Sequence, residues 1–369
     1  MRYGKKMTFL FWLVAVVNMF IIPVLTSAQE MVPDTITTMK AEVLRIEKQE
    51  EKNIPGTDTP TTYQTLTAKI QDGAEKGAII TIENDTLNLK EGEIFFLTHT
   101  TNHLDGTDFY TATDPYRLSA IYFFVGLFVL LVFIFGGKQG IRGLVVLVLS
   151  IVVILYLLVP GILHGYSPLL LSMLICSFIV IVGSYITHGV SKTTTVAVIG
   201  MITTILITGI LAYVAVYFTR LSGYSSEEAV YLNFNTQGIV NFSGLLLGGI
   251  MIGLLGVLYD AAIGQAVAIE ELHSAGKHLS RKMIYTKAKR IGREHIGALV
   301  NTLAIAYVGA SLPLLLLYAT STANISIILN QEIFATEIIR IMIGSIGLVL
   351  AVPITTAIGV LMLVKKKET

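Results

Sequence analysis

The stretch Gly244-Leu-Leu-Leu-Gly-Gly-Ile-Met-Ile-Gly-Leu-Leu-Gly-Val-Leu-Tyr-Asp260 decides how the rest of the chain is read. It carries no charge until its last residue. With its apolar flanks it forms a span over 239–266, and about 20 residues suffice to cross the hydrocarbon core of a bilayer. Gly244, Gly248, Gly249, Gly253 and Gly256 give two small-xxx-small pairs in succession, which let another helix backbone approach closely. Close packing accounts for them, within one chain or in a homo-oligomer. Asp260 is the acidic residue that lies well inside an apolar span. Exposed to lipid, such a charge costs about 2.5–3.5 kcal/mol on an insertion scale, so it faces the bundle interior or a wet cavity. Low-dielectric surroundings disfavour a charged carboxylate, which makes Asp260 the candidate proton-binding residue. The plainer alternatives are a hydrogen bond to a neighbouring helix or a place at the water boundary.

Working outward, the 369-residue chain is 53% hydrophobic and 14% charged, with mean hydropathy +0.72. Soluble domains are about 25% charged, so a single soluble globule is excluded. A net charge of +1 gives no basic bias toward nucleic acid. The single cysteine, Cys176, forbids an internal disulfide or a cysteine zinc cluster. It sits in an apolar wall, where an inert buried thiol is expected. Residues 1–117 hold 27 of the charged side chains, so a polar part precedes an apolar one.

Seven apolar stretches follow Arg117, near 118–136, 143–160, 168–187, 194–218, 239–266, 297–318 and 341–364. With the first one starting outside, Lys138, Arg142, Lys192, the basic run Lys277–Arg293 and Lys365-Lys366-Lys367 all fall on the inner side. Only Arg220 and Arg340 fall in outer loops. This is positive-inside ordering. It predicts a multi-pass protein of the bacterial cell membrane with a cytoplasmic C-terminus.

Before the spans, Arg2, Lys5 and Lys6 precede an apolar run, Met7–Leu25, and the small residues Thr26-Ser27-Ala28. Residues 1–28 therefore read as a signal peptide or N-terminal anchor, two alternatives that length leaves open. Residues 29–117 carry a net charge of −8. Alternating runs at Lys40–Lys48, Tyr63–Ile70, Gly77–Ile82, Glu93–Thr98 and Phe109–Thr113, separated by turn residues, predict an exported all-β domain, a small barrel similar to an OB fold. It has too few basic and aromatic residues for a nucleic-acid platform; docking a partner protein or ligand is its expected role. Asn84-Asp85-Thr86 fits a glycosylation sequon.

Groups that could serve Asp260 lie on the last two spans: Asn301 and Thr302, and Thr355 and Thr356. Their plainer role is hydrogen bonding between helices. Residues 277–295 form an amphipathic cytoplasmic helix, with Leu279, Met283, Ile284, Ala288 and Ile291 near one face, suited to an anionic lipid surface or to coupling with the fifth span. Glu270, Glu271, Arg293, Glu294 and His295 are candidate coupling residues there.

Three segments carry a family resemblance. They are Gly256-Val-Leu-Tyr-Asp-Ala-Ala-Ile-Gly-Gln-Ala266 with Glu270-Glu271-Leu272, then Gly292-Arg-Glu-His-Ile-Gly-Ala-Leu-Val-Asn-Thr-Leu303, and Gly309-Ala-Ser-Leu-Pro-Leu-Leu315. Together they resemble the YibE/F-like family of bacterial multi-span membrane proteins over most of 117–364. Residues 256–319 are also similar to resistance-nodulation-division permeases, a resemblance that implies proton relay by acids at this place. Some members of both groups carry paired acids where this chain has Tyr259-Asp260.

The sequence thus supports a proton-coupled transporter of unknown substrate, with a non-transport membrane scaffold or sensor as the alternative. An enzyme is not expected: HExxH, GxSxG and a Walker loop are all missing, and Lys138, Ser191 and Lys192 sit at span edges without a base at useful spacing. Neither a cofactor nor a metal is predicted.

Overall fold

The structure is a computed structural model describing residues 35–53, 56, 58–102 and 106–364. The proposed signal segment and the Lys365–Lys367 tail lie outside the described residues. The chain divides into two compact units, Met1–Leu127 and Phe128–Thr369.

All five expected strands form in the first unit: β1 (Thr35–Asn53), β2 (Pro60–Ile70), β3 (Ile79–Asn84), β4 (Ile94–Thr101) and β5 (Asp108–Pro115). They make one antiparallel sheet in the order β3-β2-β1-β4-β5. The first half of β1 pairs with β4 and its second half with β2. Register shifts between Val43 and Arg45 and between Ile46 and Lys48 bend the strand where this hand-over occurs. The outer strands β3 and β5 approach each other, so the sheet curls into a half-barrel. Its concave side is filled by Met39, Ala41, Val43, Leu66, Ala68, Ile70, Phe95 and Leu97, the alternate residues of their strands.

Two buried amides pin one loop to this core. Asn84 Nδ2 donates to Gln64 Oε1 at 3.0 Å and to the Leu87 carbonyl at 2.6 Å, and its Oδ1 accepts from the Leu87 N–H at 3.0 Å. Gln64 Nε2 donates to the Leu89 carbonyl at 2.8 Å. Asn84 is only 3% exposed, so the asparagine of the apparent sequon holds the fold instead of presenting an acceptor.

Helices begin with α1 (Leu118–Val153), which continues through a π-turn (Ile154–Leu158) into α2 (Val159–Leu163). The first two expected spans are therefore two helices that meet at one residue, with no loop between them. The break is confined to Gly137, at φ 52° and ψ −142°, a region that only glycine enters without strain. A Cβ on Gly140 would lie 2.7 Å from the Val132 carbonyl oxygen. The chain thus bends sharply enough for Gly140 to meet a residue two turns earlier.

There follow α3 (Pro168–His188), α4 (Lys192–Thr219), α5 (Glu227–Asn235), α6 (Phe242–Ala275), α7 (Arg281–Ala310), α8 (Leu312–Ala319), α9 (Ile325–Asn330) and α10 (Glu332–Leu363). Ser191, Ser226, Asn241 and Ser280 cap α4, α5, α6 and α7 with side-chain acceptors. Five helical runs are long and apolar enough to cross a membrane, and a sixth results if α7 and α8 count as one broken span bent by 65°. Seven separate spans were expected. The difference comes from counting the α1–α2 run once although it is broken at Gly137, and from the stop at Ser311, where Pro313 opens the next helix with no N–H to extend the old one.

The amphipathic segment also differs from expectation. From Arg281 onward it is the first half of α7 itself. Ile284 and Ala288 pack with Ile269 of α6 and with Val360 and Val364 at the end of α10, so protein, not lipid, covers that part of its apolar face. Met283 and Ile291 stay exposed.

The bundle core joins α3, α4, α6 and α10 through Cys176, Val180, Met201, Ile205, Met251, Leu254, Leu258 and Leu348. Cys176 is fully buried there, as an inert thiol would be. Glycines on one helix receive polar side chains from the next. A Cβ on Gly248 would lie 2.5 Å from Ser172 Oγ, one on Gly347 2.7 Å from Thr208 Oγ1, and one on Gly292 2.8 Å from Gln265 Oε1. Small residues let the helices close around hydroxyl and amide groups.

Candidate functional site

Asp260 lies about 27 Å along α6 from Phe242 at the helical rise of 1.5 Å per residue. It lines a cavity of about 540 Å³ between the second half of α1, α3 and α6. The walls are mostly aliphatic, including Val146, Leu147, Ile179, Ile252, Leu255 and Val257. Polar groups enter at Ser150, Thr187, Tyr259 and Asp260. The Ser150 hydroxyl is turned back onto the Val146 carbonyl at 2.8 Å, leaving Asp260 as the charged group on the wall. Among the described residues, no hydrogen bond or ion pair reaches its carboxylate.

The glycines of α6 divide by role. Gly244 and Gly248 admit Pro168 and Ser172 of α3, and Gly253 admits the Tyr307 hydroxyl of α7. Gly249 and Gly256 have nothing within 4 Å of the place an added methyl would take, and Gly256 lines the Asp260 cavity. The first group is packing, as the spacing suggested; Gly256 leaves room beside the carboxylate.

None of the polar residues expected near Asp260 lines its cavity. Thr355 and Thr356 are fully buried. Thr355 faces Gly200 of α4. Thr356 Oγ1 donates to the Val352 carbonyl at 2.6 Å and accepts from Gln265 Nε2 at 2.8 Å. Gln265 also donates to the Ala288 carbonyl at 2.9 Å, which ties α6, α7 and α10 together. Asn301 and Thr302 are exposed, with Thr302 Oγ1 donating to the Ala298 carbonyl at 2.9 Å. Of the coupling candidates, Glu270 accepts from Thr193 Oγ1 at 2.7 Å. Glu271, Arg293, Glu294 and His295 make no ion pair among the described residues, and all four are exposed. The His295 ring rests beside Gly264.

His188 is a residue that sequence reading passed over. Its ring stands 5.8 Å from that of Tyr259 and lines a second cavity of about 180 Å³ with Glu270, Thr193 and Ser191. Tyr259 faces one cavity and His188 the other, so polar groups run from Asp260 toward Glu270. A histidine at the end of an apolar stretch gives no signal in one dimension; its position follows from how α3 meets α6.

The half-barrel holds its own polar cluster. His99 is placed with Nδ1 3.2 Å from Glu75 Oε1 and Nε2 3.0 Å from Asp108 Oδ1, and it stacks on Tyr110 at 4.4 Å. Tyr110 donates to Glu75 Oε2 at 2.8 Å, and burial, then this carboxylate, push its phenol up to about 12. The hydrogen bond from Thr101, then that from His99, hold the Asp108 carboxyl below its usual range. The two carboxylates occupy opposite sides of the ring, which suits lateral bracing of β4 and β5. No metal-ligating group of three occurs among the described residues.

Several apolar helices of membrane-crossing length, packed through glycine and polar contacts, are the build of a membrane protein. The YibE/F-like protein family model matches residues 124–365, and the chain belongs to that family. No curated protein and no solved structure matches it.

Proposed function

We propose that the protein is a proton-coupled transporter in which Asp260 binds and releases the coupling proton. The observation that carries this reading is an exposed carboxylate in an apolar helix of membrane-crossing length, without a hydrogen-bond or ionic partner among the described residues, on the wall of a cavity about 540 Å³ in volume. In a bilayer such a group is stable when it is protonated, hydrated or matched to a cation. A change among those states is what a transport cycle needs. The Tyr259–His188–Glu270 line offers a polar route from the carboxyl toward the end of α6. The reading includes a bacterial cell-membrane location, an OB-like domain outside and the C-terminus in the cytoplasm, as the lysine and arginine distribution indicates.

Labelling with a hydrophobic carbodiimide, which attacks protonated carboxyls away from water, tests this. Modification of Asp260, read by mass spectrometry in lipid, should fall as the pH is raised while the fold is retained. Absence of labelling at every pH refutes the proton-binding role. A scaffold or sensor role draws support from the half-barrel, where exposed Ile36 and Phe109 flank Thr100 in one cross-strand row. That reading expects activity to survive Asp260→Asn and to be lost on deleting residues 39–113.

A further inference from the structure

We infer that the Asp260 cavity is a binding site for lipophilic organic cations. This rests on the proposed function only in placing the working carboxyl at Asp260. Three features select the ligand. The first is charge: the lining contains one carboxylate and no lysine or arginine, so an anion would meet an unneutralised like charge. The second is the donor set. Calcium-like cations take six or more oxygen ligands, and magnesium an octahedron. Here Asp260 is joined only by hydroxyls, and that of Ser150 is already bonded to its own helix. A small, strongly hydrated ion would lose its water shell without replacement.

The third feature is the wall. Val146, Leu147, Ile179, Ile252 and Leu255 offer apolar surface to the body of a ligand, and the aromatic Tyr259 lines the same wall, where a ring attracts positive charge. An organic cation with delocalised or shielded charge loses little hydration on entry, buries apolar area and neutralises Asp260. The volume, about 540 Å³, falls within the about 300–1,000 Å³ usual for ligand pockets. A proton and such a cation both satisfy the same carboxylate, so they compete for it. That competition is the elementary condition for exchanging one against the other across a membrane.

The test uses the full-length protein in detergent with tetraphenylphosphonium as the probe, followed by isothermal titration calorimetry and by protection of Asp260 from carbodiimide. Saturable binding is expected, weakened at least tenfold by Asp260→Asn and retained by Asp260→Glu. Affinity should fall as the pH is lowered, and the bound probe should block labelling. Equal elution of all three proteins on size exclusion separates lost binding from lost fold. If Asp260 labels with pH but the probe neither binds nor protects, the cation site is refuted and proton binding stands. If labelling is absent at every pH yet binding depends on Asp260, the cation site stands and the proton role falls. Equal affinity of the wild type and Asp260→Asn also overturns the inference.

Discussion

Gly200→Ala probes the contact that closes α4 onto α10. A methyl at Gly200 would lie 3.1 Å from Thr355 Cβ and 3.3 Å from its Cα, and closer still to Oγ1. Thr355 is fully buried. Rotating its side chain relieves the hydroxyl alone, because Cβ and Cα move only with the α10 backbone. Overpacking of this kind costs about 1–3 kcal/mol, while replacing a mid-helix glycine by alanine returns about 1 kcal/mol. Gly249→Ala supplies the reference. It lies in the interior of α6 with nothing within 4 Å of the added methyl, so it receives the helix gain alone. The propensity contributions cancel between the two variants, and Gly200→Ala should be less stable than Gly249→Ala by about 1–3 kcal/mol. Reversible unfolding in mixed micelles, followed by far-ultraviolet circular dichroism, measures the difference. Thr355→Ala added to Gly200→Ala should recover little, because it removes the hydroxyl but leaves Cβ and Cα in place. Agreement of the two single variants within about 0.5 kcal/mol, the scatter of an inconsequential substitution, would refute the close approach.

Gly137→Ala should lose about 1–3 kcal/mol in the same assay, since its backbone lies where a Cβ is strained; a neutral result would mean that the break in α1 is not held at that residue. Asn84→Ala should destabilise the half-barrel by about 1–3 kcal/mol and speed amide exchange at Thr86, Leu87 and Leu89, while wild-type Asn84 stays unmodified in a glycosylating host; a glycan there would contradict its burial. For Asp108, the folded carboxyl titrates below its ordinary value of 3.8. Its contribution is therefore complete above that value and is lost as the pH falls through the lower folded one. Protection of β4–β5 amides should decline over that acid range in the wild type and not in Asp108→Asn, and identical profiles would refute the bracing role.

Period and composition made the architecture legible. Alternation within Lys40–Lys48 and the four later runs announced the strands, and long uncharged runs announced the helices. The ends of β1 were missed, because Thr35–Thr38 and Gln49–Asn53 are mostly exposed and carry little alternation; pairing with β4 and β2 orders them. The break between the first two spans was expected as a loop and is a single residue, Gly137, and the sixth span was not expected to stop and bend at Ser311. A polar link such as Lys138-Gln139 reads as a loop, but the backbone stays helical on both sides of one glycine.

At the site, Asp260 was visible as a charge out of place, and the glycines as a small-residue pattern. Which glycine packs and which borders space was not visible, because that depends on the helix facing each one. The same holds for Thr355 and Thr356, which share a plausible depth with Asp260 but face α4 and Gln265. Hydropathy and charge, being properties of single residues and their spacing, determined that this chain is a strand-rich unit followed by membrane-length helices, with Asp260 well inside an apolar stretch. Tertiary structure alone decided that Asp260 lines a cavity, that Tyr259 and His188 continue it toward Glu270, and that Gln265 ties three helices. Each of those depends on the rotation of one helix against another, which many small contacts set jointly and no local pattern encodes.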